Sequence, residues 1–131
     1  MTAAFVDSNI VVYSISADPR RHTAQQVLNA RPETSVQGLN EFVWVARRKL
    51  KFSAEQAAEA SKQVRLFLSA IHSLLPVDHE VALGLVIRYR LAWWDSLMLA
   101  VALRSGARTY YSEDQNGLKI EGFVTIVNPF L

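Results

Sequence analysis

The chain of 131 residues contains no cysteine, which excludes disulfides, thiolate metal sites and cysteine nucleophiles. Any metal must therefore be held by oxygen or by one of three histidines. It also lacks the roughly 18 uninterrupted apolar residues of a membrane span. The N-terminus has neither the basic start nor the apolar core of a signal peptide, so a cytoplasmic location without a membrane partner is expected. Internal repeats, low-complexity tracts and Gly/Ser-rich linkers are absent, and half the residues are hydrophobic. One domain spanning residues 1–131, large enough to bury a single core, is the expectation. Net charge is small at +2, compatible with nucleic-acid binding without demanding it.

What the chain does have is an alternation of strand-like and helix-like segments. "AAFVD" (3–7) is a short apolar run ending in a polar cluster, as a buried parallel strand does where it enters a loop. Helical "SNIVVYSISA" and "HTAQQVLNA" follow, then a weaker strand "TSVQG" (34–38) and a helix "LNEFVWVARRKL". Ser53 and Gln56 form a capping box before an amphipathic helix marked by Ala57, Ala60, Val64, Phe67 and Ile71. "SLLPV" (73–77) is a third strand, with Asp78 as N-cap of the helix "HEVALGLVIRYRL". A last helix, "LAWWDSLMLAVAL" (91–103), is closed by Gly106, and "RTYYS" (108–112) and "VTIVN" (124–128) are further strands. This order predicts a three-layer α/β/α domain around a parallel sheet of four to five strands, with polar site residues beyond the carboxyl ends of the strands.

Four acidic residues occupy such positions. Asp7 ends the first strand, Glu41 lies in the first turn of the helix after the second, Asp95 starts the late apolar helix, and Asp114 follows the fourth strand. Each has an ordinary alternative: Asp7 and Asp95 as helix caps, Glu41 as a partner of its helix dipole, Asp114 as a turn residue. Together the alternatives do worse, because carboxylates converging on one edge repel each other and a divalent cation offsets that repulsion. Oxygen-only ligation suits Mg²⁺ or Mn²⁺ better than Zn²⁺. The implied chemistry is phosphodiester hydrolysis by activated water, with one ion or with two roughly 3.5–4 Å apart.

At this point the motifs resemble a known family, the PIN domain, and within it the VapC-type toxins of toxin–antitoxin pairs. "FVDSN" is similar to the family's Asp-Thr/Ser-Asn motif, "NEF" to its Glu-bearing helix, and "WWDSLMLAVAL" to its Tyr/Trp-Asp-Ala/Ser-Leu-Ile segment; "SEDQNG" and "IVNPF" resemble the tail. The resemblance implies a Mg²⁺- or Mn²⁺-dependent endoribonuclease that dimerises and is inhibited by a cognate antitoxin. It makes Asp7, Glu41, Asp95 and Asp114 the catalytic, metal-binding carboxylates, with Asn9 and Ser112 supporting them. Gln115 follows Asp114 directly, where many relatives carry an intervening Leu or Met. That leaves open whether Asp114 meets metal directly or through water and whether Glu113 shares the task.

Other residues have more than one reading. The cations Arg47, Arg48, Lys49 and Lys51 suit either a solvated helix end, an RNA backbone at the cleft rim, or an antitoxin segment. Trp44 and one of Trp93 and Trp94 are expected in the core or a dimer contact, the remaining indole facing the cleft. His22, His72 and His79 are expected in surface or capping roles. Two other function classes compete with the nuclease toxin: a PIN fold that binds RNA with little activity, or a nuclease outside toxin–antitoxin pairs. A small-molecule phosphatase is disfavoured because "FVDSN" lacks a second Asp two residues on.

Overall fold

A computed structural model describes residues 3–131. Six strands, β1 (Phe5–Val6), β2 (Glu33–Ser35), β3 (Ala70–His72), β4 (Thr109–Tyr111), β5 (Lys119–Ile120) and β6 (Val124–Val127), form one sheet in the order β3-β2-β1-β4-β6-β5. All neighbours are parallel except β5, which runs antiparallel to β6 at the edge. Six helices cover it: α1 (Ser8–Ile15), α2 (Arg21–Asn29), α3 (Val36–Arg48), α4 (Ala54–Arg65), α5 (Pro76–Tyr89) and α6 (Trp93–Ser105).

Strand alternation divides the core in two. Phe5 and Tyr110, paired in register and stacked with ring centroids 5.8 Å apart, join α5, α6, Val124 and Ile126 on one face. Val6 points the other way and packs with Ile10, Leu28, Phe42 and Val64 from α1–α4. The expected α/β/α layering is thus present, with one more short strand than expected. At two residues β5 is too brief to carry a period; it folds back on β6 through Glu121 and Gly122, both at positive φ.

Several boundaries differ from the sequence expectation. The third strand is Ala70–His72 rather than 73–77, because Pro76, which has no N–H to donate, opens α5 instead of closing a strand. Helix α4 ends at Arg65, and Phe67 and Ile71 lie beyond it, each about 40% exposed. Asp78 is not an N-cap: it lies inside the first turn, accepting the Leu75 N–H (2.8 Å), while Arg104 donates to both its oxygens at 2.9 Å. Burial raises the Asp78 pKa, but the Arg104 and Leu75 hydrogen bonds outweigh it and hold the carboxyl below its ordinary value.

Helix α3 begins three residues earlier than expected, at Val36, because Ser35 caps it by accepting the Gly38 N–H. Gly38 is required by close approach: a Cβ there would sit 2.6 Å from Thr34 Oγ1 and 3.0 Å from Met98 Cε. The earlier start moves Glu41 from the first turn into the second.

Candidate active site

The site forms where β1 and β4 end side by side. The Asp7 N–H donates to the Tyr111 carbonyl (2.9 Å) and the Ser112 N–H to the Val127 carbonyl (3.0 Å), carrying the sheet pairing one residue past each strand. Asp7 and Ser112 therefore emerge on the Phe5–Tyr110 face, toward α6.

Asp7 is 5% exposed and surrounded by donors. It accepts the Ser8 N–H at 2.7 Å as N-cap of α1, the Ser112 hydroxyl at 2.9 Å and the Asn9 amide at 3.4 Å. Its capping role, expected as an alternative to site membership, coexists with it. Ser8 also hydroxyl-bonds Glu41 Oε2 at 3.0 Å, tying the Glu-bearing face of α3 to the end of β1. Asn9 reaches Ser112 at 3.3 Å, and Ser112 Oγ accepts the Asp114 N–H at 3.2 Å, which holds the loop after β4 against the same cluster.

Asp95 is the third residue of α6, whose cap position is Ala92; it is not the N-cap. Asp7, Asp95, Asp114, Ser112 and Tyr110 line one small cavity. Gln115, at φ +64°, completes the turn that aims Asp114 inward. Three carboxylates from distant segments thus line one cavity at the carboxyl ends of the central strands, and Glu41 joins them through Ser8.

The electrostatics follow from that crowding. Burial, with Asp95 and Glu41 adding like charge, pushes the Asp7 carboxyl up to about 7 against the lowering effect of Ser112 and Ser8. Asp95 is also raised, by burial and then by Asp114 and Glu41. The Tyr110 hydroxyl, buried without a hydrogen-bond partner beside them, is raised well above its ordinary value by burial and by all four carboxylates.

Among the described residues no three acidic or histidine side chains lie close enough to enclose one ion by themselves. The donor set still fits a hard cation: it is all oxygen, mutually repelling, and includes the buried, unpartnered carbonyl Oδ1 of Asn9. Mg²⁺ takes only one or two carboxylates directly and fills its other positions with water and phosphate oxygens, so an open arrangement matches it better than a closed cage would.

The remaining sequence candidates separate. Glu113 turns away from the carboxylates; its Oε2 accepts the Tyr13 hydroxyl at 2.8 Å and Arg20 at 3.2 Å. The four cations are all exposed but differ in use: Arg47 donates to the Phe52 carbonyl (3.1 Å), Lys51 stands at positive φ, Lys49 lines a groove with Ser8 and Asn9, and Arg48 lies 5.0 Å from the Trp44 ring centroid. Trp44 is not a core residue. It and Trp94 are each 55% exposed and flank a groove beside Glu41, whereas Trp93 packs against the α5–α6 core and His79. His72 pairs with Glu33 at 2.7 Å, away from the carboxylates. Ser8 and Tyr110 also lie against the carboxylates, and neither is among the residues singled out from the sequence. Ser8 stood inside "DSN", and Tyr110 shares strand parity with Ser112, so both carried a usable signal.

Comparison with known proteins bears directly on this arrangement. The family model of the PIN domain matches residues 4–121. The chain belongs to the PIN-domain family. Among solved structures this PIN domain is similar to VapC20 of Mycobacterium tuberculosis, described as a sarcin–ricin-loop-cleaving toxin, with TM-score 0.71 and 22% identity over 86% of this chain and 91% of that one. It is also similar to a chain of a toxin–antitoxin complex from Klebsiella pneumoniae, with TM-score 0.67 and 22% identity over 97% and 98% of the two chains. At that identity the likeness establishes the fold. No curated protein matches the chain.

Proposed function

We propose that this PIN domain is a Mg²⁺- or Mn²⁺-dependent endoribonuclease that acts as the toxin of a toxin–antitoxin pair. The observation that carries the reading is the convergence of Asp7, Glu41, Asp95 and Asp114 beyond the carboxyl ends of the central strands of a PIN-fold sheet, with Asp7 buried and driven up to about 7 by its surroundings. Burying a carboxylate next to three others is costly for a fold and useful for a cation site. A bound divalent cation would supply Lewis acidity toward the scissile phosphate and the attacking water.

The chain's own residues do the positioning. Ser8, Asn9 and Ser112 fix the orientation of Asp7; Ser8 aligns Glu41 with it; Ser112 anchors the Asp114 loop by its backbone N–H. Asp7, Asp95, Glu41 and Asp114 are the cation-holding groups, and Lys49 and Arg48 at the rim supply positive charge for the phosphates on either side. Both similar structures come from toxins or toxin–antitoxin assemblies, which supports an antitoxin partner and an RNA substrate.

The proposed site of action is the cytoplasm, where RNA substrates are; no helix among the described residues is long and apolar enough to cross a membrane. Residues 1–131 act as one domain, and a homodimer is favoured by the outward side of α5, where Val77, Val81, Leu83 and Ile87 are exposed together.

The test is cleavage of a panel of structured RNAs, including a sarcin–ricin-loop hairpin, with Mg²⁺, Mn²⁺ or EDTA. Cutting should require the metal and fall at least ~100-fold in Asp7→Asn and Asp95→Asn. Equal cutting in EDTA would remove the metal mechanism. Growth arrest on expression, relieved by the product of an adjacent small open reading frame, tests the toxin role.

A further inference from the structure

The outward face of α3 carries a sequence of chemistries that the carboxylate site alone does not use. Gln37, Glu41, Trp44 and Arg48 are spaced three or four residues apart, with Asn40 four before Trp44, and so share one side of the helix. From Glu41 to Arg48 the axis advances by roughly 10 Å. Along that distance the chain presents, in order, a carboxylate of the acidic site, a half-exposed indole and a guanidinium lying over that indole.

Trp94, one residue before Asp95 on α6, closes the opposite side of the same groove, which has a volume of about 550 Å³. Gln37, Asn40 and Ser8 add hydrogen-bonding groups along its walls. Both indoles therefore share their groove with one carboxylate of the acidic cluster: Glu41 lines it one helical turn from Trp44, and Ser8, which also lines it, bonds both Glu41 and Asp7.

We propose that this groove binds an unpaired nucleobase of the RNA substrate, stacked against the Trp44 and Trp94 indoles, with Arg48 at the adjoining phosphate. The inference rests on the ribonuclease reading and adds to it the selection of single-stranded or splayed-out nucleotides next to the scissile bond. A nucleotide answers every feature at once. Its flat π face suits exposed indoles, its base edge suits amide side chains, and its phosphate suits a guanidinium beside an otherwise acidic cleft. A duplex cannot answer them, because its bases are already stacked on one another.

The experiment titrates the Asp7→Asn protein, so that no cutting intervenes, with short single-stranded oligoribonucleotides, the same strands carrying one abasic residue, and matched duplexes, following tryptophan fluorescence. Single strands are expected to quench the fluorescence, duplexes to bind more weakly, and an abasic residue at the responsive position to weaken binding by about 5- to 150-fold. Trp44→Ala and Trp94→Ala should show comparable losses, measured by fluorescence anisotropy of labelled RNA, and Trp44→Phe and Trp94→Phe should recover most of the affinity.

Equal affinity for abasic and intact strands overturns the proposal without any reference to variant folding. Unchanged RNA affinity in both Ala variants, with loss of affinity for the protein encoded beside the gene, overturns it in favour of a protein-docking groove. The two readings fail separately. Metal-dependent cutting by the otherwise wild-type chain with KM unmoved in Trp44→Ala and Trp94→Ala removes the stacking site alone; base-dependent binding with no cutting removes the nuclease alone.

Discussion

Replacing Asp7 by Asn should stabilise the metal-free protein at neutral pH, although Asp7 is the residue most central to the proposed activity. Folding lifts its carboxyl from 3.8 to about 7, chiefly through burial. Between those values the folded chain holds a proton that the unfolded chain has lost, so stability is fullest below about pH 4 and declines as pH rises toward 7. At about 1.4 kcal/mol per pH unit the decline is on the order of 4 kcal/mol above pH 7. Asn carries no charge to desolvate and keeps an oxygen for the Ser8 N–H, but its amide faces that of Asn9 and removes the acceptor of the Ser112 hydroxyl, which can turn to accept instead, a mismatch costing about 1 kcal/mol. The net gain is about 3 kcal/mol, or roughly 10 °C in Tm for a domain of this size. Thermal unfolding followed by circular dichroism in EDTA, between pH 4.5 and 8.5, measures it. Wild type should lose Tm across the range, and Asp7→Asn should lose distinctly less and exceed wild type at pH 8. Mg²⁺ should then raise the wild-type Tm at pH 8 more than that of the variant, because it offsets the repulsion that Asn already lacks. Parallel pH curves for the two proteins, or a variant less stable than wild type at pH 8, would refute the reasoning.

Two further outcomes concern regions away from the site. Arg104→Met strands the buried Asp78 carboxylate, which Arg104 grips through both oxygens; a loss of about 3 kcal/mol in urea unfolding is expected, and a loss under about 1 kcal/mol would mean the pair is not what orients α5 against α6. Ile87→Glu places a charge on the most exposed apolar position of α5, 69% exposed; light scattering should show a dimer becoming monomeric with the Tm of the separate chain little changed, and an unaltered dimer would put the interface elsewhere.

Legibility from the sequence followed the length and regularity of each signal. The capping box at Ser53 and Gln56 forms as its spacing requires, since both partners are local to one turn. Local apolarity points to "SLLPV" as the third strand, while Ala70–His72 is chosen by pairing with β2, a contact 37 residues distant in the chain at each register pair. Apolar spacing through Phe67 and Ile71 imitated a helix that ends at Arg65, where the chain must turn back to enter the sheet. Hydrophobicity alone places Trp44 either in the core or at a dimer contact, and the core option fails because the side of α3 that faces the core is occupied by Leu39, Phe42 and Ala46, so the indole points to solvent.

The four carboxylates, their order and their lodging at strand or helix ends are properties of the linear chain, because strand–loop–helix junctions are written in local apolar patterning and capping chemistry. The same is true of the alternation that makes a parallel sheet covered by helices the economical fold. Convergence is different. That Asp7 and Ser112 stand side by side follows from the pairing of β1 with β4 across more than a hundred residues, and the Ser8–Glu41 bond follows from how α3 packs. Burial of Asp7, its raised pKa and the groove between Trp44 and Trp94 likewise exist only once distant segments exclude water together. Desolvation and like-charge repulsion depend on three-dimensional proximity, and no spacing along the chain encodes them.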